Sequence, residues 1–305
     1  MSCLTVRDLY REACRRLVEA GVDSPEWDAR ALLLEMLHMD EVGLLLSQQQ
    51  TVPPPVLESF LALVARRAER EPLAYILGRV EFHGLRFACD ARALVPRQET
   101  EILVERAHHW CKALPPGSLV VDVGTGSGVI ALVLAALNSQ LVAWGTDISA
   151  QALQLAAENA RYYHLQGRVH WARGPGLQPL YEAGVAEQVA VVVSNPPYVR
   201  SGDYAKLQPE IRQHEPRGAL DGGADGLEVY RALLADCASL PRLEAVCLEI
   251  GAAQAEAVTT LALDYLPAAS VKVFADLAGL ARVVELSLST TGRTTTHDRM
   301  VAEGV

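Results

Sequence analysis

Apolar positions between residues 4 and 70 recur at helical intervals, with Leu4, Leu9, Leu17 and Val18 marking a first helix. Ser24-Pro25 reads as an N-cap followed by proline at the first helical position. The helix it opens carries Trp27, Ala31, Leu34 and Leu37-His38 on one side. Pro53-Pro54-Pro55 interrupts the pattern, and helical periodicity resumes from Val56 to Arg70. This region predicts a small helical bundle, serving either stability and dimerisation or recognition of a protein partner. Val80, Phe82, Leu85, Phe87 and Leu94-Val95 then suit strands, with His83-Gly84 as a hairpin turn. A helix follows Pro96-Arg97-Gln98-Glu99-Thr100-Glu101 as far as about Leu114, where Pro115-Pro116-Gly117 breaks the chain.

Beyond that break, strand and helix alternate. Strands are predicted over 119–124, 141–147, 168–173, 189–195 and 243–250. Helices are predicted over 129–137, 149–163 (capped by Ser149), 226–240 and 252–266. A polar loop separates Asn195 from about Gly226. Two final strands, 271–277 and 281–288, are joined by Ala278-Gly279-Leu280 as an antiparallel hairpin at one edge. Alternating units of this kind predict an α/β fold with a mostly parallel sheet and helices on both faces. The polar, aperiodic stretch 290–305 is expected to be a disordered tail.

Composition narrows the functional classes. At 305 residues the chain has room for about two domains. The formal net charge of −10 argues against a protein held mainly by phosphate contacts, so direct nucleic-acid binding is not expected. Apolar runs are short and interrupted, and the first twenty residues lack the apolar core of a signal peptide. The expectation is a cytoplasmic protein with no membrane span. Cys3, Cys14, Cys89, Cys111, Cys237 and Cys247 are scattered without a CxxC, and the eight histidines form no ligand spacing, so no metal is implied.

Two motifs carry chemistry. Val120-Val121-Asp122-Val123-Gly124-Thr125-Gly126-Ser127-Gly128 reads as strand, glycine loop and helix start. Such a loop turns tightly and lets a ligand approach the backbone. A glycine turn alone is common in α/β units, and three details add to it. The spacing is Gly-x-Gly-x-Gly, unlike the dinucleotide Gly-x-Gly-x-x-Gly. Asp122 stands two residues before the first glycine. Asp147 ends the next strand, where a carboxylate can accept from both hydroxyls of a ribose. The second motif is Asn195-Pro196-Pro197-Tyr198 at the end of an apolar strand. Two prolines fix a rigid turn at the strand's carboxyl end, where open α/β sheets bind ligands. A positioned amide and phenol there suggest methyl transfer to a planar nitrogen, with the Asn195 side-chain carbonyl and the Pro196 carbonyl accepting its N–H groups and Tyr198 stacking on it. The alternative for Tyr198 is a core aromatic.

The glycine loop with Asp122 and Asp147 resembles class I S-adenosylmethionine-dependent methyltransferases, which have a seven-stranded sheet with one antiparallel strand. A nicotinamide dehydrogenase is the competing reading, but it would want an acid–base pair and leaves the Asn-Pro-Pro-Tyr unexplained. The flanking segments narrow the resemblance. Tyr75-Ile76-Leu77-Gly78, Glu81-Phe82, Val95-Pro96-Arg97, Glu99-Thr100-Glu101, Glu210-Ile211-Arg212, Glu215-Pro216, Gly222 to Leu227, Glu249-Ile250-Gly251 and Asp276-Leu277-Ala278-Gly279 are all similar to the peptide chain release factor glutamine methyltransferase family.

That resemblance implies N(5)-methylation of the glutamine in the Gly-Gly-Gln motif of class I release factors, with S-adenosyl-L-methionine as cofactor. It implies a release-factor-recognition domain over 1–75, a β-hairpin linker over 76–97 and a methyltransferase domain over 98–289. Cofactor contacts are implied for Asp122, Gly124, Thr125, Gly126, Ser127, Gly128, Asp147, Ile148, Gly176 and Asn195, and substrate contacts for Asn195, Pro196, Pro197 and Tyr198. Two departures stand out. Gln98 replaces a proline of the family pattern, a change expected to be tolerated at the surface. Pro175 and Gly176 occupy positions where the family places an acid and a bulky residue near the adenine, which implies a weakened adenine contact. Competing readings are a ribosomal-protein glutamine methyltransferase, a nucleic-acid exocyclic-amine methyltransferase, and a degenerate fold kept as a binding module.

Overall fold

The computed structural model describes residues 4–115 and 117–288, and the tail expected over 290–305 lies outside them. The described chain divides into two compact units. One holds the residues up to Val80 together with Cys89–Ala91 and Leu207–Glu215; the other holds Glu81–Ala88, Arg92–Lys206 and the chain from Pro216 onward.

The first unit is helical, with α1 (Val6–Glu19), α2 (Pro25–Leu37), α3 (Glu41–Leu46), α4 (Pro54–Ala68) and α5 (Leu73–Leu77). Thr5 opens α1 through a capping box with Asp8. The buried face of α1 is Val6, Leu9, Ala13 and Leu17, so Leu4 and Val18 of the expected stripe are exposed instead. Ser24 does precede α2 with Pro25 in the first turn, but its side chain makes no capping bond. The side of α2 that carries Trp27 is not the core side: Trp27 is 64% exposed, while Asp28, Ala29, Leu32 and Leu33 are buried.

The reason is an ion-pair network that polarity patterns do not anticipate. Arg67 of α4 donates through Nε to Asp28 Oδ2 at 2.6 Å and through Nη2 to Glu210 Oε1 at 3.0 Å. Arg70 grips both oxygens of the same Glu210, at 2.7 and 2.6 Å. Glu210 lies on α10 (Pro209–His214), so the segment 207–215 is tied into this helical unit although it lies far along the chain. Proline is also used differently from the expectation. Pro54 and Pro55 sit inside the first turn of α4, where a missing N–H costs nothing.

The chain then forms a hairpin, β1 (Arg79–Phe82) and β2 (Leu85–Ala88). His83 and Gly84 both take positive φ, 50° and 70°, the backbone of a two-residue primed turn. Leu94 and Val95 form no strand.

The second unit is built on a seven-stranded sheet. In chain order its elements are α6 (Thr100–Cys111), β3 (Leu119–Val123), α7 (Val129–Leu137), β4 (Val142–Asp147), α8 (Ala150–Tyr162), β5 (Val169–Arg173), α9 (Gln178–Glu182), β6 (Val189–Ser194), α11 (Glu228–Ala238), β7 (Ala245–Glu249), α12 (Ala255–Tyr265), β8 (Ala269–Ala275) and β9 (Ala281–Leu288). Sheet order is β5-β4-β3-β6-β7-β9-β8. β9 alone runs against its neighbours, pairing antiparallel with both β7 and β8, as the final hairpin predicts. The region between Asn195 and Gly226, expected to be a loop, contains α10 and short 3-10 turns.

The central strands β3, β6 and β7 are buried along their whole length, as parallel strands covered on both faces must be. Leu119, Val121 and Val123 share one core with α9, α11 and α12. Val120 and Asp122 point to the other face, where α7 packs. Order reverses between β3 and β6: the chain builds outward through β4 and β5, then crosses to β6 and β7. The carboxyl ends of β3 and β6 therefore flank the crevice where doubly wound sheets bind ligands.

Arg67→Ala is expected to lower the stability of the chain by about 3 kcal/mol, because it strands the buried Asp28 carboxylate and takes one of two arginine partners from Glu210. Urea unfolding followed by circular dichroism measures it; a loss under about 0.5 kcal/mol, the level of an ordinary surface change, would contradict the network's role.

Candidate active site

The glycine loop leaves β3 at Val123, and its conformation follows from its sequence. Gly124, Gly126 and Gly128 have φ of 71°, 56° and 83°, which side chains beyond glycine rarely adopt. Gly128 is doubly constrained, since a Cβ there would lie 2.8 Å from the Trp171 ring and 2.9 Å from Ala156 Cβ. A Cβ on Gly124 would meet nothing within 4 Å, so the loop presents bare backbone to open space. Gly124 and Thr125 donate their N–H groups to the Thr146 carbonyl, at 2.8 and 3.0 Å. Asn159 braces the loop from α8, donating to the Ser127 carbonyl at 3.0 Å while also bonding both backbone groups of Ala88 in the hairpin.

Both acids predicted around the loop are there. Asp122 is 1% exposed; its Oδ2 accepts from the Thr125 hydroxyl at 2.5 Å and from the Ala131 N–H at 3.3 Å. Its Oδ1 is buried with no partner. Burial, with the nearby Asp147 charge adding to it, pushes the Asp122 carboxyl up to about 7. Asp147 accepts from Gly126 N–H at 2.9 Å and from Ser149 N–H at 2.8 Å, one bond to each oxygen. Each oxygen keeps a further lone pair. Ser149 meanwhile caps α8 as expected, accepting from Ala152 N–H at 3.2 Å. Ile148, next to Asp147, is 62% exposed, an apolar side chain offered to the same edge.

Pro175 and Gly176 lie in the loop after β5. Gly176 has φ of 52°, and a Cβ there would meet Asp236 Oδ2 at 2.4 Å. Asp236 reaches over from α11 to accept from the Leu177 N–H at 3.1 Å. The Gly176 carbonyl accepts from the Thr146 hydroxyl at 2.9 Å, which anchors this loop to the end of β4. A side chain at position 176 would have to displace the Asp236 carboxylate and adopt a left-handed backbone. Gln98, the other departure, is exposed.

Asn195 follows β6 directly, and β6 pairs with β3 so that Ser194 lies beside Val123. The Ser194 hydroxyl donates to the Val123 carbonyl at 2.6 Å, which fastens the glycine loop and the Pro-Pro turn together. Asn195 Nδ2 donates to Thr100 Oγ1 at 3.3 Å, and the Thr100 hydroxyl donates to Glu249 Oε2 at 2.7 Å. Pro196 is buried, and Pro197 and Tyr198 are half-buried. Tyr198 packs against the main core, and burial raises its phenol above the usual range, so it stays protonated at neutral pH. Its carbonyl accepts from Gln254 Nε2 at 3.2 Å. Gly222 lies against the turn so closely that a Cβ would stand 2.6 Å from the Pro197 carbonyl oxygen.

The two motifs thus meet at the ends of adjacent central strands. Bare glycine backbone, an orphaned buried carboxylate oxygen and a carboxylate with spare lone pairs fit a small polar cofactor approaching from the carboxyl edge. Comparison with known proteins agrees. The PrmC N-terminal domain family matches residues 8–78, and the methyltransferase small domain family matches residues 99–214. A release factor glutamine methyltransferase from Nitratidesulfovibrio vulgaris is 38% identical over 92% of this chain and 94% of its own. The chain belongs to the release factor glutamine methyltransferase family.

The Deinococcus radiodurans release factor glutamine methyltransferase is 41% identical over 77% of this chain and 82% of its own. S-adenosyl-L-methionine is the methyl donor in this family. Among solved structures, the hMettl16 catalytic domain superposes with a TM-score of 0.56 at 16% identity, covering 80% of this chain and 85% of its own, a likeness of fold. For this family member the sequence motifs mark the glycine loop, Asp147 and the Asn195 turn. They do not mark Thr100, Glu249 or Asp236 as site residues. The signals were the family-like segments Glu99-Thr100-Glu101 and Glu249-Ile250-Gly251, which carry no role by themselves, and an acid closing an otherwise apolar strand, Ala245-Val246-Cys247-Leu248-Glu249.

The raised Asp122 carboxyl has a sign that can be checked. The folded chain holds a proton there up to about pH 7, whereas the unfolded chain releases it near 3.8. Asp122 therefore favours the folded state below 3.8, and that contribution is lost as pH rises through about 7. Thermal melts of the Asp122→Asn variant are expected to fall less steeply than wild type between these two values; identical slopes would refute the assignment.

Proposed function

We propose that this chain methylates the side-chain amide nitrogen of the glutamine in the Gly-Gly-Gln motif of class I peptide chain release factors, and that Asn195 is the residue that binds that amide. What carries the reading is the meeting of the glycine loop and the Asn-Pro-Pro-Tyr turn at adjacent strand ends, in a chain of this family.

An amide nitrogen is a poor nucleophile because its lone pair is delocalised into the carbonyl. Little can be gained from a base before transfer, because the N–H becomes acidic only as the new bond forms. What the site must supply is position, and positioning alone is worth several orders of magnitude in rate. The Asn195 Oδ1 accepts one N–H of the glutamine amide and the Pro196 carbonyl accepts the other. The two acceptors lie on adjacent residues of a rigid turn, so they hold the amide plane with its nitrogen facing the cofactor side. Both bonds strengthen as positive charge develops on that nitrogen. Tyr198, anchored in the core, walls the amide on one face. When bound, S-adenosyl-L-methionine supplies an electrophilic methyl group. Gly124 to Gly128 would flank its amino-acid part, with Asp122 at the foot of the loop; Asp147 would accept from the ribose, and Ile148 and Gly176 would border the adenine.

The helical N-terminal region is read as the part that engages the release factor, and the hairpin as a wall of the glutamine pocket. A cytoplasmic location fits the proposed partner. Among the described residues no helix is long and apolar enough to cross a membrane, and the described cysteines are free thiols.

The deciding assay mixes the protein with labelled S-adenosylmethionine and a purified release factor. Label is expected on the intact factor and not on one whose Gly-Gly-Gln glutamine is replaced; transfer instead to ribosomal protein or DNA would overturn the assignment. Asn195→Ala is expected to lower kcat at least about a hundredfold while the cofactor still binds. Turnover near wild type would remove Asn195 from the role. Asp147→Ala is expected to weaken cofactor binding about tenfold or more, as loss of charge-assisted hydrogen bonds does, read by calorimetry. An unchanged Kd would exclude the ribose contact.

A further inference from the structure

We propose that Thr100 and Glu249 form a hydrogen-bond relay that decides which end of the Asn195 amide faces the substrate, so both act as positioning residues for the transfer. The proposal rests on the reading of Asn195 as the residue that binds the glutamine amide.

The Asn195 side chain must be oriented as well as placed. Its two ends have nearly the same shape and opposite polarity: one accepts, the other donates. A substrate amide that presents N–H groups needs the oxygen end. A half-turn of the side chain would instead offer an NH2 group to the substrate NH2, donor against donor. Something must choose between the two, and the prolines that follow fix the backbone without fixing this torsion.

Thr100 supplies the choice. It is the first residue of α6 and is 3% exposed. A hydroxyl has one proton to donate. Here that proton goes to Glu249 Oε2 at 2.7 Å, in a site where Glu249 is 1% exposed. The Thr100 oxygen is thereby left with lone pairs only, and it faces Asn195 at 3.3 Å. Such an oxygen can receive the NH2 end and repels the carbonyl end. The Asn195 Oδ1 is consequently turned away from Thr100. Glu249 is hydrogen-bonded to Thr100, and it acts on the amide through that hydroxyl.

Glu249 is held in place from several sides. The Tyr230 hydroxyl of α11 donates to the Glu249 backbone carbonyl at 2.7 Å. Burial dominates and pushes the carboxyl up to about 7, with Glu99 adding to it, while the Thr100 hydrogen bond, Arg282 of β9 and Arg97 ahead of α6 favour its charge. Tyr198 also faces this group, and its own phenol is raised by burial and by the Glu249 charge. Loss of the Glu249 charge would weaken the hold on the hydroxyl proton, freeing it to point at Asn195 and favour the reversed amide.

The test compares Thr100→Val, which keeps the shape and removes the hydroxyl, with Thr100→Ser, which keeps the hydroxyl. Thr100→Val is expected to lower kcat about tenfold or more with the Kd for S-adenosylmethionine within about twofold of wild type, since one hydrogen bond's worth of orientation is lost. Thr100→Ser is expected to restore kcat to within about threefold of wild type. Equal rates for the two variants would overturn the relay, whether both are fast or both are slow. A readout on the unaltered chain removes dependence on folding of the variants. The side-chain amide signals of Asn195 in an NMR spectrum are expected to move as pH is raised from about 5.5 to about 8.5, following the Glu249 carboxyl, and to stay still in Glu249→Gln. Signals that do not move in wild type would overturn the relay. Absence of methyl transfer by wild type would instead count against the proposed function, and the amide signals would still decide the relay.

Discussion

One short hydrogen bond holds the two halves of the site in register: the Ser194 hydroxyl on the Val123 carbonyl, at 2.6 Å. It sits where two fully buried parallel strands run out together. Within β3 and β6 the backbone groups are satisfied by the ladder, and the side chains are apolar except for Asp122 and Ser194. At the last pair the ladder ends and the two chains diverge, one into the glycine loop and the other into the Pro-Pro turn. A one-residue slip would turn Asp122 into the core shared by α9, α11 and α12, and would carry Asn195 away from Gly124. The crevice therefore depends on strand register, and strand register depends on valine-rich strands that must be buried on both faces.

The same logic distributes polarity around the site. Asp122, Thr100, Ser194 and Glu249 are each at most 3% exposed, and they stand at or near the ends of elements that are otherwise apolar. Such groups are costly without partners, so nearly every one is bonded to another group of the crevice. Thr125 binds Asp122, Thr100 binds Glu249, and Ser194 binds the neighbouring strand. Of these four residues, Asp122 keeps one buried oxygen, Oδ1, without a partner, two residues before the glycine loop. A network of this kind is rigid because any rotation leaves a buried donor or acceptor unpaired.

What could be read from the sequence was local. Strand–helix alternation, the His83-Gly84 turn, the Ser149 cap and the two motifs each sit within a few consecutive residues. Their physics is carried by φ angles and single-element periodicity. What escaped was carried by distant pairs. The buried face of α2 differs from the one its apolar pattern predicts because Asp28 pairs with Arg67, so a charge occupies the core and Trp27 is turned outward. The helical turn around Glu210 has no local signal because its anchors, Arg67 and Arg70, are 140 or more residues away. Thr100 and Glu249 are separated by 149 residues, and neither looks like a site residue alone. Leu94 and Val95 have strand composition but no partner strand, so β-propensity had nothing to act on. Gly176 was placed by resemblance alone, and its physical constraint, the Asp236 carboxylate, comes from a helix sixty residues on.

The proposed chemistry explains why the residue beside the substrate is an amide and not an acid. A carboxylate at position 195 would attract a cationic methyl donor before transfer as strongly as it would attract the amide nitrogen during it, and equal stabilisation of both does nothing for the chemical step. A neutral carbonyl acceptor acts mainly on the N–H it touches, and that N–H becomes a stronger donor only as the new bond forms. The advantage is kept only if the carbonyl faces the right way. A charge is useful for enforcing direction, provided it is set back from the reacting atoms. Glu249 meets that condition, placed behind the Thr100 hydroxyl and closed off from solvent by β7 and its neighbours. Its cost of burial is offset in part by Arg282 and by the Thr100 hydrogen bond. On this view the acid at the end of β7 and the amide at the end of β6 are one device divided between two strands, and the hydroxyl on α6 is what joins them.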